Sequence, residues 1–252
     1  MIASENTIQP MPGRCLFPSA QPAGVIDPEA LLAWRGIRDL PLARRWMCRK
    51  LESKGIPENV LVAFQVVPRH VFAPTNRWRV SYLDLDLWTG VTWMTSPSTV
   101  ARVVSAIRFK PPPRIYEVGT GTAYQATILA AMGATVLTVD IHPECSLQAR
   151  LLFKSLAIPS VAVGLRDGVR FPPSGETFDA IVVNCALPRF PENLAQLVRP
   201  GGVIIAPVAR ADGSQRLMRY SIVAREPCSW INLGMCRFAP AMIGSLGEWY
   251  GS

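Results

Sequence analysis

The chain has 252 residues, a formal net charge of +8 and 49% hydrophobic residues. This apolar fraction can supply a proper core and excludes an intrinsically disordered chain. No stretch approaches the roughly 18 apolar residues of a membrane span, and the first residues, MIASENTIQPMPGR, lack the basic start and apolar block of a signal peptide. The six cysteines form no CxxC pair. We therefore expect a cytoplasmic protein with reduced thiols, no membrane partner and no metal site.

The first part of the chain divides into two segments. Residues 1–30 are rich in proline, serine and glycine and lack periodicity, which predicts a flexible extension. Residues 31–96 are predicted to form a helical cap segment, because apolar residues recur at helical spacing from about 41 to 67, where Gly55 and Pro57 divide the run into two helices. Residues 68–96 are irregular in pattern. The basic residues between positions 35 and 54 are interpreted as the exposed face of a helix. The alternative is that these basic residues form a surface that attracts an acidic substrate or nucleic acid.

Residues 97–252 are predicted to form one α/β domain. After a helix that begins at Pro97, strand and helix patterns alternate in RIYEV, AYQATILAAM, TVLTVD, PECSLQARLLFKSL, SVAVGL, DAIVVNC, PENLAQLV and GGVIIAPV. This alternation predicts a mostly parallel sheet with helices on both faces. Two further strand patterns, RLMRYSIV and WINLGMCRFAP, follow without a helix between them and predict an antiparallel edge. The fold class is therefore predicted to be Rossmann-like α/β with a seven-stranded sheet.

The glycine turn GTGTAY follows the first strand of this domain, where ligands of such sheets bind. A triphosphate loop would need a lysine that is absent here, and a dinucleotide turn would need glycine at the position of Tyr124. Three acids at successive strand ends indicate S-adenosylmethionine instead. Glu117 precedes the turn, Asp140 can accept both ribose hydroxyls, and Asp167 can reach the adenine edge. The alternative is that these acids only cap helices.

Four strings resemble the protein-L-isoaspartate O-methyltransferase family: AFQVVPRHVFAP, EVGTGTAYQATILA, FDAIVVNCALPRFPENLAQLVRPGGVIIAPV and CRFAPAMIG. The VPRHxFxP string is distinctive of that family, whereas the glycine turn fits any methyltransferase of this fold. The resemblance implies a class I methyltransferase fold, S-adenosylmethionine as methyl donor and a carboxylate acceptor, which in the family is an isoaspartyl residue of a damaged protein. The residues predicted to bind the cofactor are Glu117, Gly119, Thr120, Gly121, Thr122, Tyr124, Asp140, Ile141, Asp167 and Gly168.

The acceptor loop departs from the family pattern. Family members carry a Thr-Ile-Ser-x-Pro loop, with the serine in the active site. Aligned on Pro97, Thr95 takes the place of that serine and Trp93 takes the place of the threonine. The preceding segment is slightly shorter than in the family, so Ser96 is the alternative to Thr95. Trp88 and Trp93 either narrow the acceptor pocket or serve only in packing.

Further departures from the family pattern include one in the glycine turn and one at the end of the fourth strand. Ala123 stands in the glycine turn where family members usually have glycine, and Asn184 replaces a small residue at the end of the fourth strand. Asn184 is predicted to contact the acceptor, with capping of the strand end as the alternative. The candidate catalytic residues are therefore Thr95, Ser96 and Asn184.

The predicted function is S-adenosylmethionine-dependent O-methylation of a carboxylate in a peptide, a protein or a dedicated small molecule. A carboxylate is already a nucleophile at pH 7, so the reaction needs alignment and desolvation and no general base. One alternative is a cofactor-binding interaction protein without catalysis. Another is a nucleic-acid methyltransferase, which is disfavoured because the fourth strand ends in NCALP and has no [ND]PP[YF] loop. The sequence does not indicate the oligomeric state.

Overall fold

The computed structural model describes residues 39–107, 112–243 and 248–249. The predicted extension of residues 1–30 lies outside the described residues. Two helices open the described chain, as predicted: α1 (Leu40–Ser53) and α2 (Glu58–Val66). The Asp39 carboxylate caps α1 by accepting a hydrogen bond from the Leu42 amide at 3.1 Å. The side chains that α1 buries are Ala43, Met47, Cys48 and Leu51. Arg45 and Arg49 are exposed, in agreement with a solvated basic face.

The segment after α2 leads to the start of the α/β domain. Two short 3-10 helices, Arg69–Phe72 and Thr75–Val80, come first. An antiparallel hairpin of β1 (Leu87–Trp88) and β2 (Trp93–Met94) follows. Helix α3 (Pro97–Ser105) then begins directly, so Thr95 and Ser96 lie in a short connection between the hairpin and the helix.

Among the described residues, seven strands form one sheet in the spatial order β5-β4-β3-β6-β7-β8-β9. Their bounds are β3 (Arg114–Val118), β4 (Thr135–Asp140), β5 (Val161–Leu165), β6 (Phe178–Val183), β7 (Val198–Ala209), β8 (Gln215–Val223) and β9 (Glu226–Cys236). The strands from β5 to β7 are parallel, and β8 and β9 are antiparallel. This confirms the predicted sheet. The chain order reverses between β3 and β6, so a crevice opens beyond the carboxyl ends of these two strands. A separate two-stranded ribbon joins β10 (Met242–Ile243) to β11 (Glu248–Trp249).

Helices α4 (Tyr124–Ala131), α5 (Pro143–Ser155) and α6 (Glu192–Ala195) connect the parallel strands. The predicted helix PENLAQLV is shorter than expected, because Val198 already pairs with Phe178 as the first residue of β7. Alternate strand residues face opposite sides of the sheet. Ile115 and Val182 belong to the buried cluster that also contains the inner faces of α1, α2 and α3, whereas Tyr116 and Ile181 belong to the cluster on the other side. The helical segment therefore packs on one face of the sheet.

No helix within the described ranges is long and apolar enough to cross a bilayer.

Candidate active site

The glycine turn lies between β3 and α4, at the crevice. Gly119 and Gly121 have φ angles of +93° and +51°, a region that favours glycine. The turn also lies tight against the end of β6, because a Cβ atom on Gly119 would come within 3.1 Å of the Asn184 Cβ atom. Ala123 adopts φ +68° as the residue before α4. An L-residue with a side chain is strained there, so this position keeps the backbone shape of the glycine that the family usually has.

Glu117 lies completely buried beneath this turn. Its carboxylate accepts hydrogen bonds from Thr138 Oγ1 at 2.6 Å, from Gln125 Nε2 at 2.9 Å and from Asn184 Nδ2 at 3.2 Å. Burial raises the pKa of Glu117 to about 7, although these hydrogen bonds oppose the shift. Thr120 Oγ1 lies 2.8 Å from Thr138 Oγ1, and because Thr138 donates its hydrogen to Glu117, Thr120 is the donor. Glu117 therefore connects the glycine turn to β4, to α4 and to the end of β6.

Asp140, at the end of β4, joins the glycine turn to the next loop. Its Oδ2 accepts a hydrogen bond from the Gly121 amide and its Oδ1 accepts one from the His142 amide, both at 2.9 Å. Each carboxylate oxygen has two lone pairs, so each retains one for a further donor. Ile141 lies between the two bonded loops and is half-buried.

Asp167 follows β5 and has a split environment. Its Oδ1 accepts hydrogen bonds from the amides of Val169 at 3.0 Å and Arg170 at 2.9 Å. Its Oδ2 is buried and accepts no hydrogen bond from any residue of the described ranges. Gly168 is required by packing, since a Cβ atom there would come within 2.4 Å of Val139 Cγ2. Asp167 thus keeps an unpaired acceptor, and such an atom is costly unless a donor reaches it.

Tyr124 points away from the crevice. It is 2% exposed, and its ring contacts the rings of Phe64 and Phe72 at centroid distances of 6.1 Å and 5.5 Å. The Arg69 guanidinium lies 4.7 Å from the ring centroid. The Tyr124 side chain, which was predicted to bind the cofactor, therefore packs in the core. Thr122, by contrast, is partly exposed within the turn.

Thr95 and Ser96 differ in what their hydroxyls contact. Ser96 Oγ donates to Thr99 Oγ1 at 3.0 Å within the first turn of α3. The Thr95 hydroxyl has no hydrogen-bond partner among the described residues, and the backbone oxygen of Thr95 accepts a hydrogen bond from Arg69 Nη2 at 2.7 Å. The hairpin before Thr95 reaches the glycine turn, since Thr92 Oγ1 lies 3.9 Å from the position of a Cβ atom on Gly121. Of the two candidates, Thr95 has the free hydroxyl.

Asn184 lies between the turn and β6 and uses its amide group there. Its Nδ2 donates to Glu117 Oε1 at 3.2 Å and to the Gly119 backbone oxygen at 3.0 Å, and its Oδ1 accepts from Gln125 Nε2 at 3.0 Å. Both amide hydrogens are therefore occupied, which leaves one lone pair of Oδ1 for a ligand. The geometry therefore favours the alternative interpretation, in which Asn184 caps the end of β6.

Four residues of this site were missed in the sequence: Arg69, Asp86, Gln125 and Thr138. Gln125 and Thr138 are buried polar residues in otherwise apolar segments, a signal that could have identified them. Arg69 is completely buried and also donates from Nε to the Ser81 backbone oxygen at 2.6 Å. Asp86 accepts a hydrogen bond from the Ser96 amide at 2.7 Å. Arg69 lies in the VPRHxFxP string that resembles the family, whereas no pattern in the sequence indicated the contact of Asp86.

The sheet order, the glycine turn at the reversal point and the acids at the ends of β3, β4 and β5 define a class I S-adenosylmethionine-dependent methyltransferase. The family described as protein-L-isoaspartate(D-aspartate) O-methyltransferase (PCMT) matches residues 43–245. The chain belongs to this family.

Two curated relatives agree with this assignment. A protein-L-isoaspartate O-methyltransferase of Gloeobacter violaceus is 37% identical over 180 residues, which are 71% of this chain and 86% of that protein. The one of Pelotomaculum thermopropionicum is 32% identical over 210 residues, 81% of this chain and 89% of that protein.

Two solved structures share the fold. A protein-L-isoaspartate O-methyltransferase superposes with a TM-score of 0.73 at 21% identity, covering 81% of this chain and 67% of that chain. A putative one from Plasmodium falciparum, in complex with S-adenosyl-L-homocysteine, gives a TM-score of 0.67 at 18% identity and covers 79% of this chain and 97% of that chain. As a member of the family, the present protein uses S-adenosyl-L-methionine as its cofactor.

Proposed function

We propose that this protein transfers the methyl group of S-adenosylmethionine to a carboxylate of the aspartyl or isoaspartyl type in a peptide or protein. The observation that carries the proposal is the free Thr95 hydroxyl, in a loop whose preceding hairpin packs against the glycine turn. The relatives named above are protein-L-isoaspartate O-methyltransferases, which supports the same acceptor chemistry. In this arrangement residues 97–252 carry the cofactor site, and residues 31–96 supply the acceptor loop.

The acids at the strand ends fit this cofactor. Asp140 retains one lone pair on each oxygen at the crevice, so it would accept hydrogen bonds from both ribose hydroxyls. The unpaired Oδ2 of Asp167 would accept a hydrogen bond from the adenine amino group. Gly119, Thr120, Gly121 and Thr122 would line the crevice with backbone, while Glu117 would act indirectly by fixing Thr138, Gln125 and Asn184.

The acceptor side needs only an orienting group. S-adenosylmethionine supplies an electrophilic methyl group, which a carboxylate oxygen takes by in-line displacement while the electron pair of the broken C–S bond stays on sulfur. The acceptor carboxylate is ionised near neutral pH, so no residue has to remove a proton. Thr95 would donate its hydroxyl hydrogen to the second carboxylate oxygen and hold the first in line, which is an orientation effect.

The test is methyl transfer to two peptides of one sequence, one with an isoaspartyl residue and one with an ordinary aspartyl residue. We expect a base-labile methyl ester and an equal amount of S-adenosylhomocysteine with the isoaspartyl peptide. Thr95→Val is the matched variant, because valine keeps the shape of threonine and removes the hydroxyl. It should lower kcat/KM about 10- to 100-fold, the value of a hydrogen bond to a charged group, and leave cofactor affinity unchanged.

Absence of ester with either peptide at stoichiometric enzyme would refute the proposed acceptor. If Thr95→Val weakened cofactor binding as much as transfer, Thr95 would belong to the cofactor site instead.

A further inference from the structure

The hairpin before the acceptor loop presents two tryptophans to solvent. Its inner face carries Leu87 and Met94, which are 5% and 1% exposed. Its outer face carries Trp88 and Trp93, which pair directly across the two strands and are 42% and 45% exposed. The two indole rings lie 5.4 Å apart, at an interplanar angle of 55°. Two adjacent exposed indoles form an apolar surface that contacts no other described ring.

This hairpin is held firmly despite its short strands. Thr89 and Thr92 close its tip, because the Thr89 amide and hydroxyl donate to the Thr92 backbone oxygen at 3.0 Å and 2.8 Å. Its carboxyl end is held by Arg69, which donates to the Thr95 oxygen at 2.7 Å, and by Asp86, which accepts from the Ser96 amide at 2.7 Å. The indoles are therefore presented by a fixed element, as a specific recognition surface requires.

The tryptophan pair adjoins the proposed acceptor position. Trp93 is exposed, Met94 is buried and Thr95 is half-buried, which is the alternation of an extended chain. Trp93 and Thr95 therefore face the same side, about 7 Å apart along the chain. This is also the distance between every second residue of an extended peptide, so a peptide that places its carboxylate at Thr95 brings a side chain two residues away onto the indoles.

We propose that the Trp88–Trp93 pair is a docking surface for the acceptor peptide and binds an aromatic or aliphatic side chain two residues from the residue that is methylated. The proposal rests on the proposed function, because it takes Thr95 as the acceptor position. In this proposal the two tryptophans determine specificity by contacting the peptide. Methyl transfer itself takes place in the crevice.

The charges around the hairpin favour an uncharged occupant. Asp84 and Asp86 lie in the segment that leads into β1, but Asp84 forms an ion pair with Lys54 and Asp86 accepts a hydrogen bond from the Ser96 amide, so both carboxylates already have partners within the chain. A lysine or arginine side chain could stack on tryptophan, but the chain carries a net charge of +8, which opposes basic peptides. An aromatic side chain gains from offset or edge contact with two indoles at once.

The experiment compares isoaspartyl peptides that carry phenylalanine, alanine, lysine or aspartate two residues before or after the acceptor. We expect the phenylalanine peptide of one of the two positions to exceed the alanine peptide about tenfold in kcat/KM, as a buried aromatic contact allows. In Trp88→Ala and Trp93→Ala the ratio should fall to about one. Trp93→Phe should restore part of it, which separates a lost contact from a misfolded hairpin. Trp230→Ala is the matched control, since Trp230 is 68% exposed on β9, and it should keep the tenfold ratio.

Binding measured by calorimetry separates this proposal from the proposed function. The titration uses the same peptides and the protein saturated with S-adenosylhomocysteine. A binding preference for phenylalanine without methylation would refute the proposed function and support the docking surface. Methylation of all the peptides with equal kcat/KM would support the function and overturn the docking surface. A preference for the lysine peptide would also overturn the docking surface. So would a dimer in sedimentation that the tryptophan variants abolish, because a second copy of the chain would then occupy the surface.

Discussion

The glycine turn and the β1–β2 hairpin meet at the same crevice but are stabilised in different ways. The turn rests on buried polar groups: Glu117 is completely buried and receives three side-chain hydrogen bonds, and Asp140 binds two backbone amides. The hairpin has only two residues in each strand and exposes both indoles of its outer face. Substitution of the buried polar residues at the turn leaves hydrogen-bond donors unpaired, which lowers stability. Substitution on the outer face of the hairpin leaves no buried donor unpaired.

This difference accounts for where the chain departs from its family. Ala123, in the turn, keeps the left-handed backbone that glycine would adopt. Trp93 and Thr95, at the hairpin, change the chemistry of the surface that an acceptor would meet. The cofactor side is therefore constrained by its own buried network, and the acceptor side is the part that can acquire new specificity.

The strongest test of this comparison is Glu117→Ala. It removes the acceptor for Thr138, Gln125 and Asn184 and should lower the free energy of unfolding by about 3–5 kcal/mol. Trp93→Ala should change it by less than about 1 kcal/mol, because its side chain is 45% exposed. Urea denaturation of the two variants measures both values. A larger loss for Trp93→Ala than for Glu117→Ala would reverse the comparison.

The pH dependence of stability should carry the titration of Glu117. Its pKa rises from 4.5 to about 7 on burial, so the folded chain holds this proton more tightly than the unfolded chain. The free energy of unfolding should therefore fall as pH rises from 4.5 to 7, by at most about 3 kcal/mol.

Urea denaturation at four pH values between 4.5 and 8, with Glu117→Gln as the control, isolates this contribution. The variant has no carboxyl group at position 117 and should lack this part of the fall. Parallel curves for the two proteins would show that Glu117 does not titrate in this range.

The cofactor affinity should depend on Asp140. Asp140→Ala removes the acceptor for the ribose hydroxyls and should weaken binding of S-adenosylhomocysteine by about 1–3 kcal/mol in calorimetry. Asp212→Ala, at an exposed turn, is the control and should bind normally. Unchanged affinity in Asp140→Ala would mean that this carboxylate only braces Gly121 and His142.

The smallest effect is expected at Ala123. Ala123→Gly removes the backbone strain of a left-handed alanine, which stabilises the folded chain. It also removes a buried methyl group and makes the unfolded chain more flexible, and both effects destabilise the fold. The free energy of unfolding should therefore change by less than about 1 kcal/mol. Ala224 has φ +50° and is exposed, so Ala224→Gly loses no buried methyl group and should be the more stable of the two variants. Thermal unfolding of both checks the order, which the opposite ranking would contradict.

Some predictions depended on local pattern and others on distant contacts. The order of strands and helices, the antiparallel edge and the position of the turn followed from alternation along the chain, and the structure confirms them. The predicted helix PENLAQLV was too long, because pairing of Val198 with Phe178 on β6 ended it. Tyr124 lies in the first turn of α4 as expected, yet its ring packs against Phe64 and Phe72 from another part of the chain.

The sequence by itself determined the class of the fold, the cofactor turn and the family, because these depend on periodicity and on residues close together in the chain. Only the tertiary structure decided that Glu117 is buried under the turn, that Asn184 is bonded to it and that Thr95 has the free hydroxyl. The physical reason for the first two is that the burial of Glu117 and the bonds of Asn184 depend on contacts between residues far apart in sequence. The outward direction of Trp88 and Trp93 was decided in the same way, by burial of Leu87 and Met94 on the opposite face.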